Sequence, residues 1–408
     1  MRTRRIFAAA LFIGACTLLV SATYSAPSQK GNRWVGTWAT SPFLADAGNT
    51  PPAPGFKDST LRQIVHVSIG GRQIRVRFSN AFGASPLTIS SAHVAVSSSG
   101  SAIRRETDKP LTFHGELSVT IPPGALMYSD PLDFGLAPLS DLAVTIHLVG
   151  APDGVTSHLN SRATSYLQAG DLVSAAEMPT AEHTDNWYFL NGVDVLAANA
   201  SAIVAFGDSI TAGSKSTTNA NARWPDELAR RLQANKSTAN IGVINEGIGG
   251  NRLLHDGTGP NALARMDRDV LAMSGVRWLI VLEGVNDLGT RTSKPNEQPA
   301  TVPELIAAYE QIILRAHAHD IRVYGVTILP FEEAFYYRAD LEPDRQKINN
   351  WIRTSGKFDA VIDLDAVTRD PQNPAHFSAA ADSGDHLHPG DTGYKMMADA
   401  IDLKLFAK

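Results

Sequence analysis

Three side chains far apart in the sequence carry the clearest chemistry. Ser209 stands in "IVAFGDSITAG", where an apolar run that begins at Ile203 breaks into small polar residues, and Asp385 and His388 stand three apart in "DHLHPGDTGY". A serine hydroxyl is a poor nucleophile unless a base takes its proton. A carboxylate three residues before a histidine can fold back onto the imidazole Nδ1–H, which leaves Nε2 free to act as that base. An acyl-transfer site would also need donors for an oxyanion. The backbone N–H of Ser209, the backbone N–H of a glycine in "GIGG" and the side-chain amide of Asn286 in "EGVND" are the candidates.

The same residues admit other readings. A strand that ends in small residues can open a phosphate loop, but a Walker loop has four residues between its glycines and then a lysine. Here five residues separate Gly207 from Gly213, and Ser214 precedes Lys215. "GIGG" is too short for the dinucleotide fingerprint and does not open the sheet. His386 and His388 could ligate a metal together, yet no HExxH and no further cluster at ligand spacing accompanies them. Ser209 could simply cap a helix, and Asn286 could close a turn before Asp287. His66, His93, His114 and His147 lie in strand-like segments and read as packed or surface residues.

The elements that must position these groups fall into two halves. From about Trp34 to Val195 the chain shows short alternating strands separated by Gly, Pro, Ser and Asp, which predicts a β-sandwich or jelly roll over residues 31–198. Within it, "LRQIVHVSIGGRQIRVRFSNAFG" reads as a β-hairpin turned at Gly70-Gly71. Over residues 200–408 five short apolar strands alternate with helical patterns: Ala202–Phe206, Ile241–Ile244, Trp278–Leu282, Val323–Ile328 and Ala360–Ile362. That alternation predicts a parallel sheet covered on both faces, with ligands bound outside the carboxyl ends of its strands. "GDSI", "NEGIGGNR", "EGVND" and "DHLHPGDTGY" all follow candidate strands, so the fold would gather them on one rim.

Length and composition set the remaining bounds. The 408 residues, 43% hydrophobic and 19% charged, have the composition of a soluble globular protein of two or three domains. A net charge of −5 with no basic block argues against nucleic acid as a partner. The opening "MRTRRIFAAALFIGACTLLVSATYSA" joins three arginines to an apolar run and reads as an export signal over residues 1–26, with cleavage after Ala22 fitting the small-residue rule. "IGAC" offers a second reading, a lipoprotein anchored at Cys16, the only cysteine. Either way the chain is expected to be secreted or periplasmic and without a disulfide. No later stretch reaches the length of a membrane span.

Taken together, the four clusters resemble the GDSL, or SGNH, hydrolase family, whose pattern is a GDS block, a glycine block, a GxND block and a DxxHP block. They stand here in order as "GDSI", "NEGIGG", "GVND" and "DHLHP". The resemblance implies a flavodoxin-like five-stranded sheet in the order 2-1-3-4-5 and the SGNH site residues. Those are Ser209 as nucleophile and oxyanion donor, Gly250 and Asn286 as the other donors, His388 as base and Asp385 as its orienter. Gly250 rather than Gly249 follows from counting five residues on from Asn245. The first half, with "WVGTWATSP", "FSNAFG" and "NWYFLNGVDV", resembles the β-region of a bacterial subgroup described as XynE-like or GDSL lipase-like. The implied activity is an exported serine esterase acting on short acyl or acetyl esters, on small molecules or polysaccharides, with no cofactor. The alternatives are a lipase or lysophospholipase for longer chains, and a non-catalytic carbohydrate-binding protein.

Overall fold

In the carboxyl-terminal half five strands form one parallel sheet: β1 (Ser201–Gly207), β2 (Ile241–Gly247), β3 (Val276–Leu282), β4 (Arg322–Val326) and β5 (Ala360–Ile362). Their spatial order is β2-β1-β3-β4-β5, the flavodoxin-like order 2-1-3-4-5. The central strand β1 is buried along its whole length, as the unbroken run Ala202 to Phe206 requires of a strand covered on both faces. Helices fill those faces: α1 (Ser209–Ala212), α2 (Trp224–Ala234), α3 (Ala262–Met266), α4 (Val285–Gly289), α5 (Val302–His317), α6 (Glu342–Thr354), α7 (Leu364–Thr368) and α8 (Asp391–Asp399). The chain order reverses across β1, so the crevice at the carboxyl ends of β1 and β3 is where such a sheet binds its ligand.

This is a computed structural model, and it describes residues 31–290 and 301–407. The proposed export signal and Cys16 lie outside the described residues. Among the described residues no helix is long and apolar enough to cross a membrane.

The predicted all-β half is built of antiparallel sheets, the two largest of which enclose an apolar core. One sheet is built on Asn32–Ala39, Leu190–Ala198 and Gly71–Ser79, the other on Ser165–Ala169, Ser59–His66, Asp141–Leu148 and Leu87–Ser99. Val35, Val76 and Val193 of the first sheet meet Leu61, Val94 and Val144 of the second in that core. The hairpin predicted at Gly70-Gly71 is not one. Ser59–His66 and Gly71–Ser79 belong to different sheets, and the chain crosses between them at 67–70. Alternating apolar residues mark strands that cross between sheets as well as strands that pair, so the pattern alone favoured the nearer partner. Gly70 is needed for the crossing because a Cβ there would lie 2.3 Å from the Leu136 carbonyl oxygen.

The two halves touch along β2, the edge strand of the parallel sheet. Val243 N–H donates to Ser68 Oγ at 3.0 Å, and Gly242 passes so close to the Gly36 carbonyl that a Cβ would come within 2.6 Å of it. An unpaired edge is a template for unwanted pairing, and here the β-half covers it.

Candidate active site

The nucleophile candidate is positioned by a turn that only glycine permits. A Cβ on Gly207 would lie 2.4 Å from the Leu282 carbonyl and 2.2 Å from Thr211 Oγ1, so any side chain there would push β1 away from β3 or unwind α1. Asp208 caps α1, its Oδ1 accepting the Ile210 N–H at 2.9 Å, and so braces the loop. Ser209 is therefore the first residue of the helix, where a backbone N–H has no partner within the helix.

The other end of the chain comes to meet it. Thr217, in the loop that follows α1, donates from its N–H and Oγ1 to Asp391 at 2.8 and 2.6 Å, and Tyr394 Oη donates to the Ser214 carbonyl at 2.7 Å. These bonds tie the start of α8 to the serine loop and place the residues just before α8 over Ser209. His388 Nε2 lies 2.8 Å from Ser209 Oγ, and its Nδ1 lies 2.8 Å from Asp385 Oδ2. Asp385 Oδ1 also accepts the backbone N–H groups of Leu387 and His388 at 3.1 and 2.9 Å. Partial burial pushes this carboxyl up, but the bonds from the His388 ring and backbone outweigh it and hold the pKa at about 2. The carboxylate is thus ionised throughout the neutral range and fixes the imidazole tautomer with Nε2 facing the serine.

His386 turns away from this arrangement. It pairs with Asp382 at 2.7 Å and faces Glu333 at 3.8 Å, so the two histidines of "DHLH" serve different partners instead of converging on one point. In the β-half, His66, His93 and His147 each pair with an aspartate: Asp141, Asp108 and Asp58.

The oxyanion candidates are held by a second set of contacts. Gly250 has φ +76°, a left-handed conformation that suits glycine. Neither its N–H nor that of Ser209 meets an acceptor among the described residues. Asn286 opens its amide from α4, with Nδ2 donating to the Asn251 carbonyl at 2.9 Å. Asp287, the neighbour of Asn286, anchors the glycine loop: its carboxylate accepts the Leu253 N–H at 2.9 Å and the Leu254 N–H at 3.4 Å. Burial lifts the pKa of Asp287 to about 6 against the pull of those two N–H groups.

Beneath the rim lies a group that sequence reasoning missed. The Arg265 guanidinium is fully buried over the Phe206 ring, 4.0 Å from its centroid. It donates to the Gly207 carbonyl at 2.9 Å, the Glu246 carbonyl at 2.7 Å, Asn251 Oδ1 at 2.9 Å and Ser41 Oγ at 2.9 Å. It also reaches Asp269 and Glu283 at 3.3 and 3.2 Å. Burial, joined by the charge of Asp269 for Glu246 and of Asp208 for Glu283, pushes both glutamic acids well above the usual carboxylate range. Glu246 Oε2 accepts the Ser41 hydroxyl at 2.6 Å. The signal was present in the sequence: Arg265 shares the buried face of α3 with Ala262 and Met266, where a long cation has no place without partners. Tyr336 was missed as well. It lies in "FEEAFYY" on the loop that follows β4, the one rim segment for which no chemistry was sought, and its hydroxyl reaches Asn286 Oδ1 at 3.2 Å.

With this geometry in view, comparison with known proteins is informative about the α/β half. Residues 205–396 match the profile of the GDSL-like Lipase/Acylhydrolase family. Among solved structures, a lipase/acylhydrolase from Enterococcus faecalis is 22% identical, covering 51% of this chain and 97% of its own, with a TM-score of 0.41. A variant of an acetyl xylan esterase from Geobacillus stearothermophilus is 19% identical, covering 49% of this chain and 93% of its own, with a TM-score of 0.39. A comparison with curated proteins gave no match. Over residues 205–396, from the strand before the serine to the helix after the histidine, the chain belongs to the GDSL-like lipase/acylhydrolase, or SGNH, family of hydrolases.

Proposed function

We propose that the protein is a serine esterase that splits carboxylic esters through an acyl-enzyme. The observation that carries this reading is the unbroken relay from Asp385 through His388 to Ser209, both links at 2.8 Å. Ser209 Oγ attacks the ester carbonyl carbon while His388 Nε2 takes the hydroxyl proton. The carbonyl oxygen becomes an oxyanion facing the N–H groups of Ser209 and Gly250 and the free N–H of the Asn286 amide. When the intermediate collapses, the alcohol leaves with the proton from His388 and the acyl group stays on Ser209. A water molecule then gives a proton to His388 and attacks the acyl carbon, and as this second intermediate collapses His388 returns the proton to Ser209 Oγ and the acid is released. Asp385 stays ionised throughout, orienting the ring and stabilising the imidazolium.

For the substrate we favour short acyl or acetyl esters, among them acetyl groups on a polysaccharide. Supporting this is Phe335, whose ring is 86% exposed and packs edge-on against Tyr336, with centroids 4.3 Å apart. An exposed aromatic face beside the oxyanion side of the site suits a sugar ring, whose C–H groups stack on such surfaces. Export through residues 1–26, with or without a lipid on Cys16, would bring the enzyme to such a polymer.

The test is hydrolysis of chromogenic acetyl, butyryl and longer acyl esters and of acetylated xylan, with Ser209→Ala as the control. Release by the intact protein at least about 10³-fold above the control supports the proposal. Equal release by the two proteins refutes it. A maximum at longer acyl chains would move the substrate to lipids.

A further inference from the structure

The direction of the Asn286 amide is decided by its neighbours. Its nitrogen lies 2.9 Å from the Asn251 carbonyl oxygen, which can only accept, so the atom at that position must be the NH2 group. The other end is then the carbonyl oxygen, and it faces Tyr336 Oη at 3.2 Å. Tyr336 must donate there, because an amide oxygen has no proton to give. The phenol is well suited to donating. Burial, helped by the negative charges of Asp208, Asp385 and Asp287, pushes its pKa well above the usual value and keeps it protonated. One of the two Nδ2 hydrogens is spent on Asn251, leaving the second to point into the site.

The place of Tyr336 is built by a neighbouring glycine. A Cβ on Gly289, the last residue of α4, would lie 2.1 Å from Tyr336 Cε2. Gly289 has no positive φ to explain it; the ring packs where its side chain would be. The loop after β4 and the helix that carries Asn286 are thus fitted to each other around one phenol.

We propose that Tyr336 is a positioning residue of the oxyanion hole: it holds the Asn286 amide in the orientation that turns a free N–H toward the developing oxyanion. The inference rests on the esterase reading above. Tyr336 touches neither substrate nor Ser209 in this role and acts only through Asn286. Its hydroxyl matters most when charge builds on the substrate oxygen, so its loss should fall on kcat more than on KM.

The experiment is a double-mutant cycle on an acetyl chromogenic ester with Tyr336→Phe and Asn286→Ala, thermal unfolding being followed for every variant. Tyr336→Phe is expected to lower kcat by about tenfold, a fraction of the effect of losing an oxyanion donor outright, with KM within about twofold. In the Asn286→Ala background the same change should lower kcat by less than about twofold, because the group it positions is gone. Gly289→Ala, which keeps the phenol but displaces the ring and with it the hydroxyl, should follow the same pattern and serves if Tyr336→Phe fails to fold. An undiminished kcat in Tyr336→Phe, or an equal loss in both backgrounds, overturns the inference. The Ser209→Ala control separates this from the larger reading. If the intact protein is active and Tyr336→Phe is unimpaired, only the role of Tyr336 falls; if the intact protein matches the control, the esterase reading falls and takes this inference with it.

Discussion

Arg265 Nη2 donates to the carbonyl oxygen of Gly207 at 2.9 Å, so a fully buried cation grips the last residue of the strand that delivers Ser209. The same guanidinium holds Asn251 Oδ1, and the Asn251 carbonyl in turn receives the Asn286 amide. The serine turn, the glycine loop and the asparagine helix are therefore referenced to one planar group with a fixed fork of donors.

Replacing Arg265 by Met should be severe. It leaves Asp269 with Arg268 as its cation and takes one charged donor each from the Gly207 and Glu246 carbonyls and Asn251 Oδ1 in a dry interior, each such hydrogen bond being worth about 1.5–3 kcal/mol. Urea unfolding should show a lowered midpoint with an unchanged slope. Arg265→Lys should recover part of the stability and little of the activity, since an ammonium cannot reach all the acceptors that the fork serves.

Asp385→Asn should leave the fold intact and lower kcat about 10³- to 10⁴-fold, because an amide can favour the wrong imidazole tautomer. Its effect on stability depends on pH with a definite sign. The carboxyl titrates at about 2 in the folded chain against an ordinary 3.8, so ionised Asp385 stabilises the fold fully above about pH 4, and that contribution is lost as pH falls through 2. The side chain is 29% exposed, so solvent screening reduces the contribution to about 1 kcal/mol. Unfolding of wild type and variant should differ by that amount at pH 5, and the difference should shrink toward pH 2 and close below it.

Asn286→Ala should lower kcat by about 10²- to 10³-fold, with a small change in KM, the expected loss for an oxyanion donor. Steady-state kinetics on the acetyl ester measure it. A rise in KM with kcat unchanged would assign Asn286 to ground-state binding instead.

Phe335→Ala probes the polymer side of the substrate. The ring is almost wholly exposed, so stability should stay within about 0.5 kcal/mol. On acetylated xylan KM should rise several-fold, whereas a small acetyl ester should be cleaved as before. Equal kinetics on both substrates would remove the sugar platform from the proposal.

The parallel sheet was legible because its strands are buried on both faces and read as unbroken apolar runs. Trp278 to Leu282 was recognisable, and the strand extends two residues further back to Val276. "VPELIAAYEQIILRAHAHD" was legible as a helix from its helical pattern, and the structure adds a capping box of Thr301 and Glu304 at the start of Val302–His317. The helical pattern of "NALARMDRDVLAMS" is split, an α-turn from Ala262 giving way to a wider π-turn at Asp267–Leu271, a shift that apolar spacing does not encode. The candidate site was legible where its chemistry sits in short motifs, as in "GDSI" and "DHLH". Arg265, Ser41 and Tyr336 were not, because each acts through partners brought together only by the fold: Ser41 meets Glu246 across 205 positions of sequence.

That last contact carries a consequence for how the protein can be rearranged. Ser41 belongs to the β-half, yet its hydroxyl donates a hydrogen bond to Glu246 and accepts one from Arg265 in the dry floor below the serine. The α/β half is therefore not a cassette that can be cut out at residue 200 and expressed alone or grafted onto another carrier. Severed from residues 32–198, its floor would lose a partner for a buried acid and a buried cation together, and the edge of β2 would open to solvent. Any lineage or designer that trades away the sandwich must first rewrite that floor.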